Sequence, residues 1–217
     1  MTDINKIIKS LRTDFEALEL DKKRINPNPF LQFERWMENA IESGVREPNA
    51  MTLATVNKKG QPDARIVLLR AVEKNGFSFF TNYKSAKGKE MSENKKVCLN
   101  FFWAELSRQV RIMGSIEKLS SKSSDDYFQS RPRESQLSAW ASNQSEEIES
   151  RSILEKKFGE LEKKFSGKKI PRPPHWGGYL VRPVSIEFWQ GRQSRLHDRI
   201  LFVKSKSGKW KMSRISP

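Results

Sequence analysis

The sequence predicts a mainly β, α+β fold: an antiparallel barrel or sandwich with flanking helices and an N-terminal helical arm. Residues 50–118 alternate short apolar runs with turn-forming residues, as antiparallel strands do. Two stretches before them, residues 3–20 and 30–41, have apolar side chains at helical spacing. A helical insert is predicted over about residues 123–165, before the last strands.

The N-terminal region is predicted to form two helices. The apolar residues of the first helix are Ile4, Ile7, Ile8, Leu11, Phe15 and Leu18. A polar stretch, D-K-K-R-I-N-P-N-P, follows it, so we predict an arm and linker over 1–28 and a single domain over 29–217. The second helix follows Pro29 and stops at Gly44. Its apolar face is made of Phe30, Phe33, Trp36, Met37, Ala40 and Ile41.

The strands follow in order. M-T-L-A-T-V and A-R-I-V-L-L-R form a hairpin around the turn N-K-K-G-Q-P-D. F-S-F-F-T, V-C-L-N-F-F-W and R-Q-V-R-I-M-G-S-I are the third, fourth and fifth strands. The last four are G-Y-L-V-R-P, S-I-E-F-W-Q, R-I-L-F-V-K and W-K-M-S-R-I.

The formal net charge of +15 is concentrated near the C-terminus, where residues 151–217 hold 17 Lys or Arg against 5 Asp or Glu. Such a concentration can indicate binding of nucleic acid, of an anionic surface or of phosphorylated small molecules. Because many of these lysines occur in pairs that a helix would expose to solvent, the charge does not choose among these classes.

Cysteine content and hydropathy predict the compartment. The single cysteine, Cys98, excludes an intrachain disulfide and a cysteine metal cluster, and its apolar strand predicts a buried structural thiol. No apolar run approaches the roughly 18 residues that a membrane span needs. The N-terminus lacks the apolar core of a secretory signal. We therefore expect a cytoplasmic protein without a membrane partner.

The most informative stretch is residues 186–199, I-E-F-W-Q-G-R-Q-S-R-L-H-D-R. An apolar strand carrying Trp189 breaks at a glycine, and the loop beyond it presents Arg195, His197 and Arg199. Because guanidinium groups bind phosphate bidentately and stack on rings, arginines beside an indole suit a planar, anionic, aromatic ligand. The alternative is a strand end with solvated charges.

Two earlier segments could bind phosphate. Arg65 and Arg70 lie five residues apart at the ends of one strand, so their side chains leave opposite faces. They would serve two neighbouring ligands, or one ligand and the surface. Ser85 is a plausible N-cap of a helix with Lys87 in its first turn, where free N–H groups and the helix dipole favour anions. Solvated charges and an ordinary capped helix are the alternatives.

A third candidate segment is Y-F-Q-S-R-P-R-E-S-Q, residues 127–136, which offers a phenol, two arginines and a serine hydroxyl. Tyr127 and Arg131 would share a helix face if the helix continued, but Pro132 is predicted to end it. Gln144 and Ser145 extend the same polar surface.

Metal and nucleotide motifs find little support in the sequence. The chain has two histidines, His175 and His197, without the spacing of a zinc motif. Neither G-x-G-x-x-G nor G-x-x-x-x-G-K occurs. We expect His175 to be a loop or packing residue.

Blocks in order along the chain resemble the pyridoxamine 5'-phosphate oxidase family: F-E-R-W, G-Q-P-D-A-R-I-V-L-L-R, F-F-T-N, R-Q-V-R, S-R-P-R-E-S-Q, W-G-G-Y, and F-W-Q-G with R-L-H-D-R. The resemblance runs from about Phe33 to the C-terminus. It implies an FMN-binding split β-barrel and a homodimer with FMN at the subunit interface. The implied reaction, part of vitamin B6 metabolism, is oxidation of pyridoxamine 5'-phosphate or pyridoxine 5'-phosphate to pyridoxal 5'-phosphate by O₂, which releases hydrogen peroxide.

The resemblance also implies residue roles. The FMN-binding residues would be Arg65, Ile66, Val67, Leu68, Leu69, Arg70, Phe80, Thr81, Lys87, Gln109, Gln144, Ser145, Trp189 and Arg199. The substrate-binding residues would be Arg12, Arg70, Tyr127, Arg131, Ser135, Arg195, Leu196 and His197. Arg195 and His197 would be the catalytic residues that orient the pyridine ring against the flavin. Whether His197 is a base or a hydrogen-bond partner stays open at this point.

Three departures from the family pattern put contacts in doubt. Ala86 stands where many members have Arg, which removes one cation from the predicted FMN-phosphate site. Arg70 stands where many have Lys, and Phe15 where a tyrosine is expected in the arm.

Two other function classes remain open. One is a carrier or sensor that binds flavin or pyridoxal phosphate without turnover, and the other is a basic protein that binds RNA or DNA. The presence of Arg195 and His197 favours the oxidase over the carrier. No nucleic-acid motif is recognisable, so a nucleic-acid partner is not expected.

Overall fold

The computed structural model describes residues 4, 8 and 19–217. Of the helix predicted over 3–20, Ile4 and Ile8 are helical and exposed, whereas Glu19 and Leu20 are not helical. The remaining residues of that helix, including Arg12 and Phe15, lie outside the described residues. The predicted domain limits, 1–28 and 29–217, stay a prediction.

The described chain has five α-helices and nine β-strands. The helices are α1 (Pro29–Glu42), α2 (Ala86–Glu93), α3 (Ser121–Ser130), α4 (Arg133–Ala141) and α5 (Arg151–Lys164). The strands are β1 (Ala50–Val56), β2 (Pro62–Leu68), β3 (Ala71–Glu73), β4 (Gly76–Asn82), β5 (Lys96–Trp103), β6 (Arg108–Lys118), β7 (Trp176–Gln190), β8 (Asp198–Lys204) and β9 (Trp210–Arg214). The strand order is β2-β1-β5-β6-β7-β4-β3, with β8 paired to β7 and β9 to β8.

The chain forms two compact units. We call the first the insert unit, which comprises Asn49–Asn100 and Ile112–Val184. The second, the C-terminal unit, comprises the described residues up to Pro48 together with Phe101–Arg111 and Ser185–Pro217.

In the insert unit the predicted β1–β2 hairpin is present, with a register from Ala50 opposite Leu68 to Val56 opposite Pro62. Strand β4 pairs antiparallel with both β3 and β7. The helices α3, α4 and α5 pack over a core that fixes the aromatic rings of the candidate site. The buried residues of this core are Phe128, Leu137, Phe165, Ile170 and Trp176.

In the C-terminal unit, β7, β8 and β9 form an antiparallel ladder, and α1 packs its aromatic side chains against the aromatic residues of the strands. Asn28 caps α1 by accepting a hydrogen bond from the Phe30 N–H, and Pro29 suits the first helical position. Trp36 packs edge-on against Phe188 at 5.2 Å between ring centroids. Alternate residues of β7 and β8 are buried against this core, so the residues between them face the other side of the ladder.

The structure corrects several sequence predictions. The two strands predicted over 178–183 and 185–190 form one strand, β7. Pro183 lies between two of the ladders of β7: pairing with β4 ends at Val181 and pairing with β8 begins at Ser185, so neither of these two ladders needs its missing N–H. The helical insert begins at Ser121 and contains three helices, and the short strand β3 was not predicted.

Two side chains are more exposed than predicted. Ile41, placed on the apolar face of α1, is 60% exposed, because it precedes the end of the helix. Cys98 is half-buried, since it alternates with the buried Val97 and Leu99 along β5. Among the described residues no helix has the length and apolar character needed to cross a membrane.

Replacing Phe33 by Ala is expected to lower the free energy of unfolding by about 3–5 kcal/mol, because its fully buried ring packs against Phe101 at 5.0 Å. Ile41→Ala on the same helix is expected to change it by less than about 0.5 kcal/mol. Urea denaturation followed by tryptophan fluorescence measures both. Equal losses would contradict the one-sided burial of α1.

Candidate active site

The N-terminus of α2 carries a buried cation in the insert unit. Ser85 caps the helix, and its hydroxyl oxygen accepts from the Gly88 N–H at 3.4 Å and from the Lys87 ammonium at 3.2 Å. Lys87 is only 7% exposed. Burial, and then the nearby positive charge of Arg65, lower the pKa of Lys87, while Glu90 and Asp63 oppose this shift. The predicted N-cap and first-turn lysine are confirmed.

Arg65 lies beside this helix end but is bound by protein oxygens. Its Nη2 atom pairs with the Asp63 carboxylate at 2.5 Å and with the Glu90 carboxylate at 3.1 Å. Its Nη1 atom donates to Thr55 and to the Leu53 carbonyl. Both terminal nitrogens are therefore engaged, so the role of Arg65 as a phosphate ligand stays a prediction. Lys87 and the free N–H groups of α2 are the better anion donors.

A second cluster in the insert unit, the Trp176 cluster, stacks aromatic rings beneath cations. The rings of Phe80 and Tyr127 stack at 3.9 Å, and those of Phe80 and Trp176 at 5.5 Å. The Arg131 guanidinium carbon lies 4.7 Å from the centre of a Trp176 ring, and that of Arg70 lies 5.8 Å from the Tyr127 ring. The structure thus brings together three of the predicted substrate-binding residues.

Arg131 has an unsatisfied donor in this cluster. Its Nη1 atom is buried and meets no hydrogen-bond acceptor among the described residues. Burial is the main cause that lowers the pKa of Arg131, with Tyr127 opposing the shift and Arg70 adding to it. A buried cationic donor without a partner is costly, so the cluster is suited to an anionic acceptor.

A cavity of about 230 Å³ adjoins Arg131. Three further residues predicted to bind the cofactor, Phe80, Thr81 and Gln144, line it together with Trp176. The complete lining is Phe80, Thr81, Asn82, Arg131, Ser138, Ala139, Ser142, Gln144 and Trp176. A larger groove of about 410 Å³ between α4 and α5 contains none of the predicted site residues.

Other predicted residues of the insert unit lie outside this cavity. Arg131 and Pro132 are extended and end α3, as predicted, so Ser135 belongs to the first turn of the next helix, α4. Its side chain is half-buried there. Ser145 lies in an exposed loop with a positive φ of 74°. The run 66–69 follows Arg65 to the end of β2: Ile66 is exposed, Val67 and Leu68 are half-buried and Leu69 is buried.

In the C-terminal unit, one side of the strand ladder carries the predicted flavin contacts. Gln109 on β6, Trp189 on β7 and Arg199 on β8 all alternate with core residues, so they face away from the core. Glu187, 3% exposed, lies on the same side. It accepts from Arg199 Nε at 2.8 Å and pairs through its other oxygen with Arg111.

The loop that follows β7 carries Arg195, Leu196 and His197. The Gly191 N–H donates to the Ser107 carbonyl at 2.8 Å, which fixes the start of the loop. Ser194 and Arg195 have positive φ values of 55° and 60°, so the loop turns sharply and exposes Arg195. Strain of this kind in non-glycine residues is typical of functional loops. Leu196 is also exposed.

A backbone hydrogen bond fixes the tautomer of His197. Its Nδ1 atom accepts from the Arg192 N–H at 3.1 Å, and the ring lies 4.7 Å from Trp189. Because a backbone N–H can only donate, Nδ1 is unprotonated and the neutral ring carries its proton on Nε2. Burial, and then the positive charge of Arg195, lower the pKa of His197. The ring is therefore a neutral donor through Nε2.

Three residues of these clusters have no role predicted from the sequence: Trp176, Glu187 and Arg111. Trp176 stood in the quoted block W-G-G-Y, but which rings stack on it depends on packing that no local pattern encodes. Glu187 and Arg111 lie two residues from the predicted contacts Trp189 and Gln109. Because side chains two positions apart on a strand share a face, this spacing is the sequence signal that could have placed Glu187 beside Trp189 and Arg111 beside Gln109.

His175 lies in a loop as expected, with its Nε2 atom 3.2 Å from the Ala139 carbonyl oxygen. No group of three or more His, Cys, Asp or Glu that could hold a metal ion occurs in the part of the chain that the structure describes.

Comparison with known proteins gives the family. The profile described as pyridoxamine 5'-phosphate oxidase matches residues 37–165, and that of the pyridoxine 5'-phosphate oxidase C-terminal dimerisation region matches residues 176–217. The chain belongs to the pyridoxamine 5'-phosphate oxidase family. The second match supports the predicted homodimer.

Curated relatives agree with this assignment. The pyridoxine/pyridoxamine 5'-phosphate oxidase of Nostoc punctiforme is 52% identical over 99% of this chain and 100% of its own length. The protein of that name from Burkholderia mallei (strain SAVP1) is 52% identical over 97% and 99%. As a member of this family the chain is an oxidoreductase with FMN as its cofactor.

Solved structures confirm the predicted fold. PhzG from Burkholderia lata 383, in complex with tetrahydrophenazine-1-carboxylic acid, superimposes with a TM-score of 0.88 at 28% identity, covering 94% of this chain and all of that one. A pyridoxamine 5'-phosphate oxidase-related, FMN binding protein from Nostoc punctiforme has a TM-score of 0.70 at 18% identity, covering 88% and 98%. The antiparallel split β-barrel with flanking helices is thus confirmed.

The residues present fit FMN. The buried ammonium of Lys87 and the N-terminus of α2 are suited to a phosphate group. Trp189, Gln109 and Arg199 offer an aromatic ring, an amide and a guanidinium group, which suit the ring and carbonyl oxygens of a flavin. Ala86, at the first position of α2, is exposed and adds no charge there.

The imidazole of His197 is expected to titrate below its ordinary pKa of 6.5, because burial and Arg195 disfavour the charged ring. Arg195→Ala should raise the pKa, since it removes a neighbouring positive charge. Two-dimensional ¹H–¹⁵N NMR across a pH series measures both the titration and the tautomer, with His175→Gln as the assignment control. A protonated Nδ1 at neutral pH would contradict the Arg192 hydrogen bond.

Proposed function

We propose that the chain catalyses FMN-dependent oxidation of pyridoxamine 5'-phosphate and pyridoxine 5'-phosphate to pyridoxal 5'-phosphate, in the biosynthesis and salvage of vitamin B6. The amine, water and O₂ give pyridoxal 5'-phosphate, ammonia and hydrogen peroxide. The alcohol and O₂ give pyridoxal 5'-phosphate and hydrogen peroxide. Family membership and relatives of this name at 51–52% identity support the proposal.

The observation that carries the substrate class is the unsatisfied guanidinium of Arg131. Its buried Nη1 atom adjoins stacked aromatic rings, with Tyr127 and Arg70 close by. A phosphate monoester on an aromatic ring supplies the anionic acceptor that this donor lacks. We therefore assign Arg70, Tyr127, Arg131 and Ser135 to the substrate phosphate. Arg12, which lies outside the described residues, stays a predicted contact from the arm.

The two units would bind different parts of FMN, according to the side chains that each unit offers. In the insert unit, Lys87 and the α2 N-terminus would hold the FMN phosphate, with Arg65 beside them. In the C-terminal unit, Gln109, Trp189 and Arg199 would contact the flavin ring. The remaining assigned contacts are Ile66, Val67, Leu68, Leu69, Arg70, Phe80, Thr81, Gln144 and Ser145. FMN would lie at the interface of two copies of the chain.

Bound FMN would supply the redox chemistry of the reaction, a two-electron acceptor for the substrate that O₂ can reoxidise. The protein binds and orients. Phosphate binding far from the reacting carbon fixes the substrate, which favours a reactive geometry. Arg195 positions the pyridine ring and stabilises negative charge on it, and Leu196 adds an apolar contact. His197 donates a hydrogen bond from Nε2 and does not act as a base, because its Nδ1 lone pair is engaged by Arg192.

The cytoplasm is the proposed compartment, as the sequence predicts. The carrier and the nucleic-acid-binding protein are the competing functions. In a carrier Arg195 and His197 would have no reaction to support. A nucleic-acid-binding protein would leave the Arg131 cavity unexplained.

The reaction is tested with FMN-loaded protein in an oxygen electrode, with pyridoxal 5'-phosphate and hydrogen peroxide measured in the same samples. We expect one peroxide per aldehyde with either substrate, and ammonia with the amine alone. Protein that retains FMN but forms no aldehyde from either substrate would contradict the proposal and favour the carrier.

Replacing Arg131 by Met is expected to raise the KM for pyridoxamine 5'-phosphate by about 10- to 100-fold, the effect of losing a hydrogen bond to a charged group. FMN affinity should stay unchanged. The melting temperature should not fall, because the variant also removes a buried N–H donor that has no acceptor among the described residues. Steady-state kinetics and calorimetry measure these effects.

The matched control is Arg151→Met, which removes an exposed arginine of the same unit and should change neither KM nor stability beyond about 0.5 kcal/mol. An unchanged KM in Arg131→Met together with a lower melting temperature would mean that Arg131 is structural.

A further inference from the structure

Among the described residues, one buried carboxylate lies on the side of the C-terminal unit that carries Gln109, Trp189 and Arg199. Glu187, on β7, is 3% exposed. It lies two residues before Trp189 and so on the same side of the strand. Arginines from both neighbouring strands reach it: Arg199 from β8 and Arg111 from β6.

The contacts of Arg199 fix the plane of its guanidinium group. Nε donates to Glu187 Oε1 at 2.8 Å, and Nη1 donates to the Ser216 carbonyl at 2.9 Å. Two bonds to acceptors on different elements leave little freedom of rotation. The third nitrogen, Nη2, has no acceptor among the described residues and keeps its two N–H groups for a ligand.

Arg111 holds the carboxylate from the other side. It pairs with Glu187 Oε2, so both oxygens of the carboxylate are engaged and its orientation is fixed. A buried carboxylate is costly unless it is paired and hydrogen-bonded, and two arginines meet that requirement. The three side chains carry a net charge of +1, which remains available to an electron-rich ligand edge.

We infer that Glu187 is a positioning residue for the cofactor, which acts by orienting Arg199 so that its free guanidinium edge meets the carbonyl side of the flavin ring. The inference rests on the proposed role of Arg199 in binding FMN. It adds Glu187, which does not touch the flavin, and makes Arg111 the residue that holds Glu187 in place. Preorganisation of this kind strengthens binding because the arginine is ordered before the ligand arrives.

The test is a double-mutant cycle on FMN affinity. The proteins are the wild type, Glu187→Gln, Arg199→Met and the double variant. The Kd of FMN is measured by quenching of flavin fluorescence, and the stability of each FMN-free protein is measured in urea. Glu187→Gln keeps the shape and one acceptor oxygen but removes the charge.

We expect Glu187→Gln to weaken FMN binding about tenfold in the wild type, as the loss of a charged partner does. In the Arg199→Met background it should change the Kd by less than about twofold, because Glu187 acts through Arg199. Arg35→Met is the control: it removes an exposed arginine of α1 in the same unit and leaves the contacts of Glu187 and Arg199 in place, so the Kd should stay within about twofold.

Equal weakening in both backgrounds would overturn the inference, since Glu187 would then act through general stability. No weakening in either background would overturn it as well. If Glu187→Gln is too unstable to purify, Glu187→Asp takes its place with the same expected pattern, because it keeps the charge but withdraws it from Arg199. A wild-type protein that binds no FMN would overturn the proposed function as well as this inference. Wild-type binding that Glu187→Gln does not weaken would overturn this inference alone.

Discussion

The cost of taking cations out of water is the constraint on which the candidate site depends. Lys87 is buried beside a capped helix N-terminus, Arg131 is half-buried against aromatic rings, and Arg199 is half-buried against the carboxylate of Glu187. Glu187 pairs with both Arg199 and Arg111, whereas the buried Nη1 atom of Arg131 has no acceptor among the described residues. Uncompensated cations in a folded chain are expected where an anionic ligand completes the structure. The cofactor and the proposed phosphorylated substrate would meet that expectation.

Much of the fold could be predicted because its signals are local. Each of these signals depends on residues within a few positions of each other: the apolar face of α1, the turn of the β1–β2 hairpin, the N-cap Ser85 of α2 and the end of α3 before Pro132. The strand break at Gly191 is also local, and it placed Arg195 and His197 on a loop. The short motifs that resemble the family are local too, and their order along the chain indicates the family from sequence alone.

The rest depends on contacts between residues distant in the chain. The continuity of β7 through Pro183 follows from which strands pair on either side of it, and no local pattern gives that. The stacking of Trp176 with Phe80 joins residues nearly a hundred positions apart. The carboxylates that engage Arg65 could not be inferred from its position on the strand. The tautomer of His197 required one backbone hydrogen bond from Arg192.

The most direct test of the proposed oxidase reaction is an absorbance spectrum of the FMN-loaded protein under anaerobic conditions, before and after addition of pyridoxamine 5'-phosphate. We expect the yellow flavin bands to bleach with the substrate and to return when air is admitted, with pyridoxal 5'-phosphate released. Flavin that binds but keeps its bands after substrate is added would contradict the oxidase and leave a carrier. Protein that takes up no flavin would contradict the assignment of the site itself.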